Sequence, residues 1–296
     1  MSLAFASALL ILFAAIAAIA ALTGLALSKT SVSSKAGLDT QRRIRLLYGI
    51  AALLGLGFAL LAFVVFPTVY VNAVKVPGLL AALAPALAGT AFVVTAGVGE
   101  SFWPKPEGQQ RGAFLTRRPV LANAARVPAW AAVTWGSLLL AFLVFCGFAA
   151  TSDGESAGRS IAHPEWSPYR SGGSGPFPGW PYGIPMLVCS AVLILLAIGV
   201  LHVIARRPAV SGTTPEEDAQ LRRTSATSLM KGVQLSLAAS LAGVLAIAGQ
   251  AATHGGVIEE DGYFATLAGH WWAYPVIVAA PIVLITAIVI AARRKK

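Results

Sequence analysis

The sequence predicts an all-α polytopic membrane protein, a seven-transmembrane-helix bundle with its N-terminus outside and its C-terminus in the cytoplasm. Three observations carry that prediction. First, 57% of the 296 residues are hydrophobic and only 11% are charged, where a soluble domain carries about 25% charged residues. With a mean hydropathy of +0.74, a soluble fold of this size could not hide its apolar surface. Second, seven apolar runs are long enough to cross about 30 Å of hydrocarbon at about 1.5 Å per residue. Third, the basic residues alternate from one connection to the next.

The seven runs are Leu3–Leu27, Leu46–Phe66, Gly78–Val98, Trp130–Ala150, Ile184–Ala205, Gly232–Ala252 and Ala273–Ala292, and none contains Asp, Glu, Lys or Arg. A backbone in lipid must satisfy its own hydrogen bonds, so each run is expected as a helix. The chain thus reads as one membrane domain over 1–296, with cytoplasmic loops at 28–45, 99–129 and 206–231 and long outer loops at 151–182 and 253–272. Met1 and Ser2 precede the first run without Lys or Arg, so no cleavable signal is expected.

The charges set the orientation. Of 22 Lys and Arg residues, 19 fall in the first, third and fifth connections and in the tail, and only Lys75, Arg159 and Arg170 fall on the other side. This is the positive-inside pattern. It accounts for the net charge of +10 as attraction to anionic inner-leaflet lipid and argues against nucleic acid as a partner. Within the fifth connection Thr214, Pro215 and Glu217 form a capping box. They predict a helix from about Pro215 running toward the sixth span.

Small residues recur at helical spacing. Ala20, Gly24 and Ser28 lie four apart in the first span, and Gly232, Ser236, Ser240 and Gly243 share a face of the sixth. Such faces let helix backbones approach closely in lipid. Pro85 and Pro281 sit mid-span and are expected to kink their helices, a feature that also marks transporter sites.

Candidate chemistry concentrates on the predicted outer face. His163, Glu165, His254 and His270 could converge on a metal ion, and His254 with His270 on one haem. Solvated loop polarity is the plainer reading, and no cofactor is predicted. Trp166, Phe177, Trp180, Trp271 and Trp272 form either an aromatic belt at the headgroups or a docking surface. Trp103, followed by Pro104-Lys105-Pro106, reads as an interfacial anchor on the other side. Cys146 and Cys189 lie at similar depth, as two buried thiols or as a pair. Arg222-Arg223-Thr224-Ser225 reads as a charged helix surface or a phosphorylation site. The spans hold no carboxylate, lysine or arginine, which argues against ion-coupled transport and against a retinal-binding lysine. No P-loop, nucleophile elbow or zinc-protease motif appears.

The stretch Gly99-Glu100-Ser101-Phe102-Trp103-Pro104-Lys105-Pro106-Glu107-Gly108, followed by Arg111 and Ala113-Phe114-Leu115, resembles a segment of uncharacterised multi-span membrane proteins of high-GC Gram-positive bacteria. The resemblance covers about a tenth of the chain. It implies a bacterial cytoplasmic (inner) membrane and brings no catalytic residues with it.

The leading expectation is a non-catalytic accessory or scaffold subunit of an envelope or respiratory membrane complex, with a membrane-protein partner and bound membrane lipids. The alternatives are a transporter or receptor for a small, mostly apolar ligand and an outer-face metal or haem protein. The orientation has a direct test. A tag on Met1 is expected to be reachable by a membrane-impermeant probe from outside intact cells, and reachability only after permeabilisation would reverse the assignment.

Overall fold

The computed structural model describes residues 34–64, 76, 78–103, 126–151, 158–162, 173–253, 257–260, 263–266 and 270–293. The described residues form six helices: α1 (Lys35–Val64), α2 (Leu79–Ser101), α3 (Arg126–Ala149), α4 (Trp180–Arg206), α5 (Pro215–Thr253) and α6 (Ala273–Ala292). All six are long and apolar enough to cross a membrane. Large apolar side chains such as Leu53, Phe58, Val133, Leu140, Ile198 and Ile285 remain exposed along them. Water would not tolerate so continuous an apolar surface, and the chain is a multi-pass integral membrane protein. The predicted span Leu3–Leu27, with Ala20, Gly24 and Ser28, lies outside the described residues.

Successive helices run antiparallel. The starts of α1, α3 and α5 therefore lie with the ends of α2, α4 and α6. This end carries Arg42, Arg43, Arg126, Arg206, Arg207, Arg222, Arg223, Lys231 and Arg293, and is called the basic end below.

The 39-residue α5 is the hub. At about 1.5 Å per residue it is about 58 Å long, nearly twice the hydrocarbon thickness. It packs against all five other helices, which follow one another around it in the order α1, α2, α4, α3, α6. Of its most apolar stretch 67% is buried inside the protein, against 22–39% for the others. That position explains its composition, because Ser, Gly and Gln can be carried where neighbouring helices rather than lipid surround them.

Three differences from the sequence expectation concern helix starts, one of them α3, which begins at Arg126 rather than Trp130. α1 begins at Lys35 rather than Leu46, so most of the connection assigned to 28–45 is helix. Ser34 supplies the cap, its Oγ accepting from the Gly37 N–H at 3.2 Å. The polar first turns hide the helix from hydropathy, but its inward stripe is plain. Gly37, Gln41, Ile44, Tyr48, Ala51 and Gly55 are buried at alternating spacings of four and three, the seam of a helix packed lengthwise on its neighbours. Likewise α4 begins at Trp180, not Ile184, with Gly179 at the cap and Pro181 in the first turn, where proline costs no hydrogen bond.

Short strands decorate the end opposite the basic one, in the loops expected at 151–182 and 253–272. β1 (Ile161–Ala162) pairs antiparallel with β2 (Gly173–Ser174). β3 (Val257–Glu260) pairs antiparallel with β4 (Tyr263–Thr266).

Pro85 and Pro281 lie inside α2 and α6, and both helices continue through them without interruption. Both helices pack on α5, the hub that stands between the two prolines' helices in the bundle.

The small-residue face of α5 divides in two. At Gly89 of α2 a Cβ would come within 2.6 Å of the Ser236 Cβ, and at Gly232 within 2.6 Å of the Phe92 ring. Ser240 is buried and its Oγ donates to the Ser236 carbonyl at 3.0 Å. Gly243 differs, since a Cβ there would meet nothing within 4 Å. Gly89→Ala is therefore expected to lower stability by about 1–3 kcal/mol through overpacking. Gly243→Ala should be neutral or raise it by up to about 1 kcal/mol through helix propensity. Thermal unfolding in detergent checks both, and equal effects would refute the assignment of the tight face.

Candidate functional site

The most elaborate side-chain chemistry lies at the basic end, where the ends of α2 and α4 meet the start of α5. Glu100 occupies the last turn of α2, and Arg207 is the residue immediately after α4. The Arg207 Nη1 lies 2.9 Å from the Glu100 Oε2, and the two side chains are 1% and 0% exposed. The same Nη1 donates to the Ser225 Oγ of α5 at 3.2 Å. Tyr48 of α1 donates its hydroxyl to the Glu100 Oε1 at 3.4 Å. Four elements thus converge on one buried ion pair.

Trp103 closes the pair from one side. The Arg207 guanidinium lies 3.9 Å from the centroid of its ring and that of Arg43 lies 5.4 Å from it, both within cation–π range. Arg43 Nη2 also donates to the Phe102 carbonyl at 2.8 Å. Trp103 is buried, which corrects the expectation of an interfacial anchor. Its face is taken by guanidinium groups.

A second ion pair sits beside the first. Arg222 Nε donates to the Asp218 Oδ2 at 2.8 Å, one helical turn apart on α5. Its Nη1 donates to the Ile204 and Ala205 carbonyls at 3.1 Å. Those carbonyls belong to the last turn of α4, which has no partners within its own helix, and a cation is favoured there by the helix dipole. Arg222 is thus a C-terminal cap delivered by another helix. It is buried, and at this residue the reading as a charged helix surface gives way to that role, while Arg223 stays exposed.

The predicted capping box is present, and it also joins two helices. Glu217 N–H donates to the Thr214 Oγ1 at 3.3 Å, and Thr214 N–H donates to the Glu217 Oε2 at 3.4 Å. Glu217 also accepts from Ser34, through the backbone N–H at 3.2 Å and the hydroxyl at 2.7 Å. One carboxylate therefore fixes the starts of both α1 and α5. Farther along, Lys231 donates to the Arg293 carbonyl at the end of α6, at 3.2 Å.

One polar clasp lies deeper. Gln234 is fully buried. Its Oε1 accepts from the Trp135 Nε1 of α3 at 3.1 Å, and its Nε2 donates to the Ala287 carbonyl of α6 at 2.9 Å. Side-chain bonds of this kind join helices where water is absent.

Two clefts open among the described residues. One, of about 440 Å³, is walled by Glu100, Ser101, Trp103, His202, Arg206 and Arg207 at the basic end. The other, of about 400 Å³, lies between α3 and α6 and is walled by Arg126, Trp130, Thr134, Trp135, Thr286 and Ile290.

The outer candidates fare differently from one another. His163, Glu165, His254 and Trp166 lie outside the described residues. His270 is half-buried, its ring 5.4 Å from that of Trp272, and its N–H donates to the Ala252 carbonyl. Among the described residues no group of three or more His, Cys, Asp and Glu is placed to hold a metal ion. Phe177 is fully buried against Cys146, Ile161, Ala248 and Ala251. It therefore leaves the predicted docking surface, because the apolar ring plugs the end of the bundle. Trp180 packs on Phe148 and Gly147, and Trp272 packs edge-on against Phe145. Trp271 is 82% exposed. Cys146 and Cys189 are free thiols, the first buried and the second half-buried.

Sequence reasoning missed the Glu100–Arg207 pair because neither residue lies inside an apolar run. The signal was nonetheless present, as a carboxylate flush with one span and arginines flush with another on the same predicted side. Glu100→Gln is expected to cost about 3–5 kcal/mol, since it leaves a buried guanidinium uncompensated. The double variant Glu100→Gln/Arg207→Met should recover much of that loss. Thermal unfolding in detergent distinguishes the two, and additive losses would show that the residues do not act as a pair. No family model, curated protein or solved structure matches the chain.

Proposed function

We propose that this integral membrane protein is a non-catalytic accessory or scaffold subunit of a larger envelope or respiratory complex. In this reading the chain sits in a bacterial cytoplasmic membrane with the basic end facing the cytoplasm. The observation that carries it is where the buried polar groups are used. Glu100, Arg207, Asp218, Arg222 and Gln234 bond to other parts of the same bundle, and Glu217 joins two helix starts. These are devices for holding helices in fixed relation, which suits a part whose task is to present surfaces.

The surface offered at the opposite end is aromatic. Trp271, Phe148 and Tyr274 are exposed there, beside Trp180 and Trp272. Aromatic side chains supply large contact area at little entropic cost, which suits them to protein interfaces. A small-ligand reading draws its support from the α3–α6 cleft, whose lining is mostly apolar.

Purification of the tagged chain in mild detergent tests the scaffold reading. A membrane protein is expected to co-migrate in fixed stoichiometry, and Trp271→Glu should deplete it severalfold while the chain stays monodisperse. A chain that purifies alone and monodisperse would overturn the proposal.

A further inference from the structure

The cleft at the basic end is lined by an arginine that keeps an unspent guanidinium edge. Arg207 uses Nη1 for Glu100 and Ser225, while its Nε and Nη2 are buried and have no hydrogen-bond partner. Those two atoms form the side-on edge of the group, the pair of parallel donors that matches a carboxylate or phosphate oxyanion. Arg207 lines the cleft together with exposed Arg206, His202 and Ser101. The Glu100 carboxylate is already neutralised by Arg207 and bonded by Tyr48, so Arg206 leaves the cleft with excess positive charge.

Along both helices, away from this end, exposed apolar side chains follow one another on the outer surface of the bundle. On α2 the file is Val94, Val98 and Phe102; on α4 it is Ile194 and Ile198, followed by His202 and Arg206. Each step is one helical turn along the same face. The α4 file therefore passes from aliphatic to imidazole to guanidinium where both helices end. That order matches a phospholipid standing in a membrane, with acyl chains against the aliphatic residues and phosphate at the arginines.

We infer that this cleft binds the phosphate group of an anionic phospholipid, held side-on by Arg207 and from the rim by Arg206. The inference goes beyond the scaffold reading and does not depend on it. The ligand chemistry is a phosphate oxyanion, and the flanking apolar files select a lipid as its source over free phosphate.

The test uses the full chain, purified in detergent and delipidated, with three probes: phosphatidylglycerol, phosphatidylcholine and inorganic phosphate. Native mass spectrometry counts retained lipid and thermal unfolding reads the stabilisation. One phosphatidylglycerol is expected to be retained about tenfold more tightly than phosphatidylcholine, as a charge-assisted bidentate contact would give. Arg206→Ala and Arg207→Lys should each remove most of that preference, the second because ammonium keeps the charge and loses the fork. Arg223→Ala, which removes an exposed charge of α5 away from the cleft, should not. Arg206 is exposed, so its variant reports on the cleft even if Arg207→Lys fails to fold. Equal retention of the two lipids, or an unchanged preference in Arg206→Ala, would overturn the site. Equal stabilisation by inorganic phosphate alone would overturn the lipid as its source.

Discussion

A bilayer supplies no hydrogen bonds, and each polar group carried into it must find its partner within the protein. In this bundle the constraint is met by geometry. The least apolar of the long helices, α5, stands at the centre, where the other five cover it. Gln234 can lie fully buried because Trp135 and Ala287 approach it from two sides. Ser236 and Gly232 can exist there because their size lets α2 come close. Lipid-facing positions on the outer helices are left to Leu, Ile, Val and Phe, which need no partners.

The basic end obeys the same rule under harder conditions, because ions replace amides. Two charges withdrawn from water are tolerated when each faces its counter-ion and further bonds support the pair. Glu100 has Arg207 and Tyr48, Arg222 has Asp218 and the end carbonyls of α4, and Arg207 has Glu100 and Ser225 at Nη1 while its Nε and Nη2 stay unbonded. The result ties α1, α2, α4 and α5 into one unit at the basic end. Orientation specificity comes with it, since a helix shifted by one residue would lose its ion and keep the desolvation cost.

What the sequence discloses follows from what hydropathy measures. It located the six described spans because lipid exposure demands long apolar runs, and it located the start of α5 because Thr214 and Glu217 act locally. It passed over the start of α1, where the first turns are polar and only the four-three spacing of Gly37, Gln41, Ile44 and Tyr48 betrays a packed helix. It placed Phe177 on a surface because Pro176 and Pro178 beside it suggest an exposed, stiff loop, whereas the ring turns inward against Cys146 and Ile161. The ion pairs escaped for a different reason. Glu100 and Arg207 are far apart in the chain, and their partnership exists only once α2 and α4 cross.

The length of α5 has a mechanical consequence. From the Thr214–Glu217 turn to Thr253 it is one uninterrupted rod, anchored to Ser34 at one tip and joined at the other, through Ala252, to the residue that leads into α6. The tip beyond the length of the hydrocarbon and the far face are thereby parts of one continuous helix, so the two ends of the bundle share a single shaft.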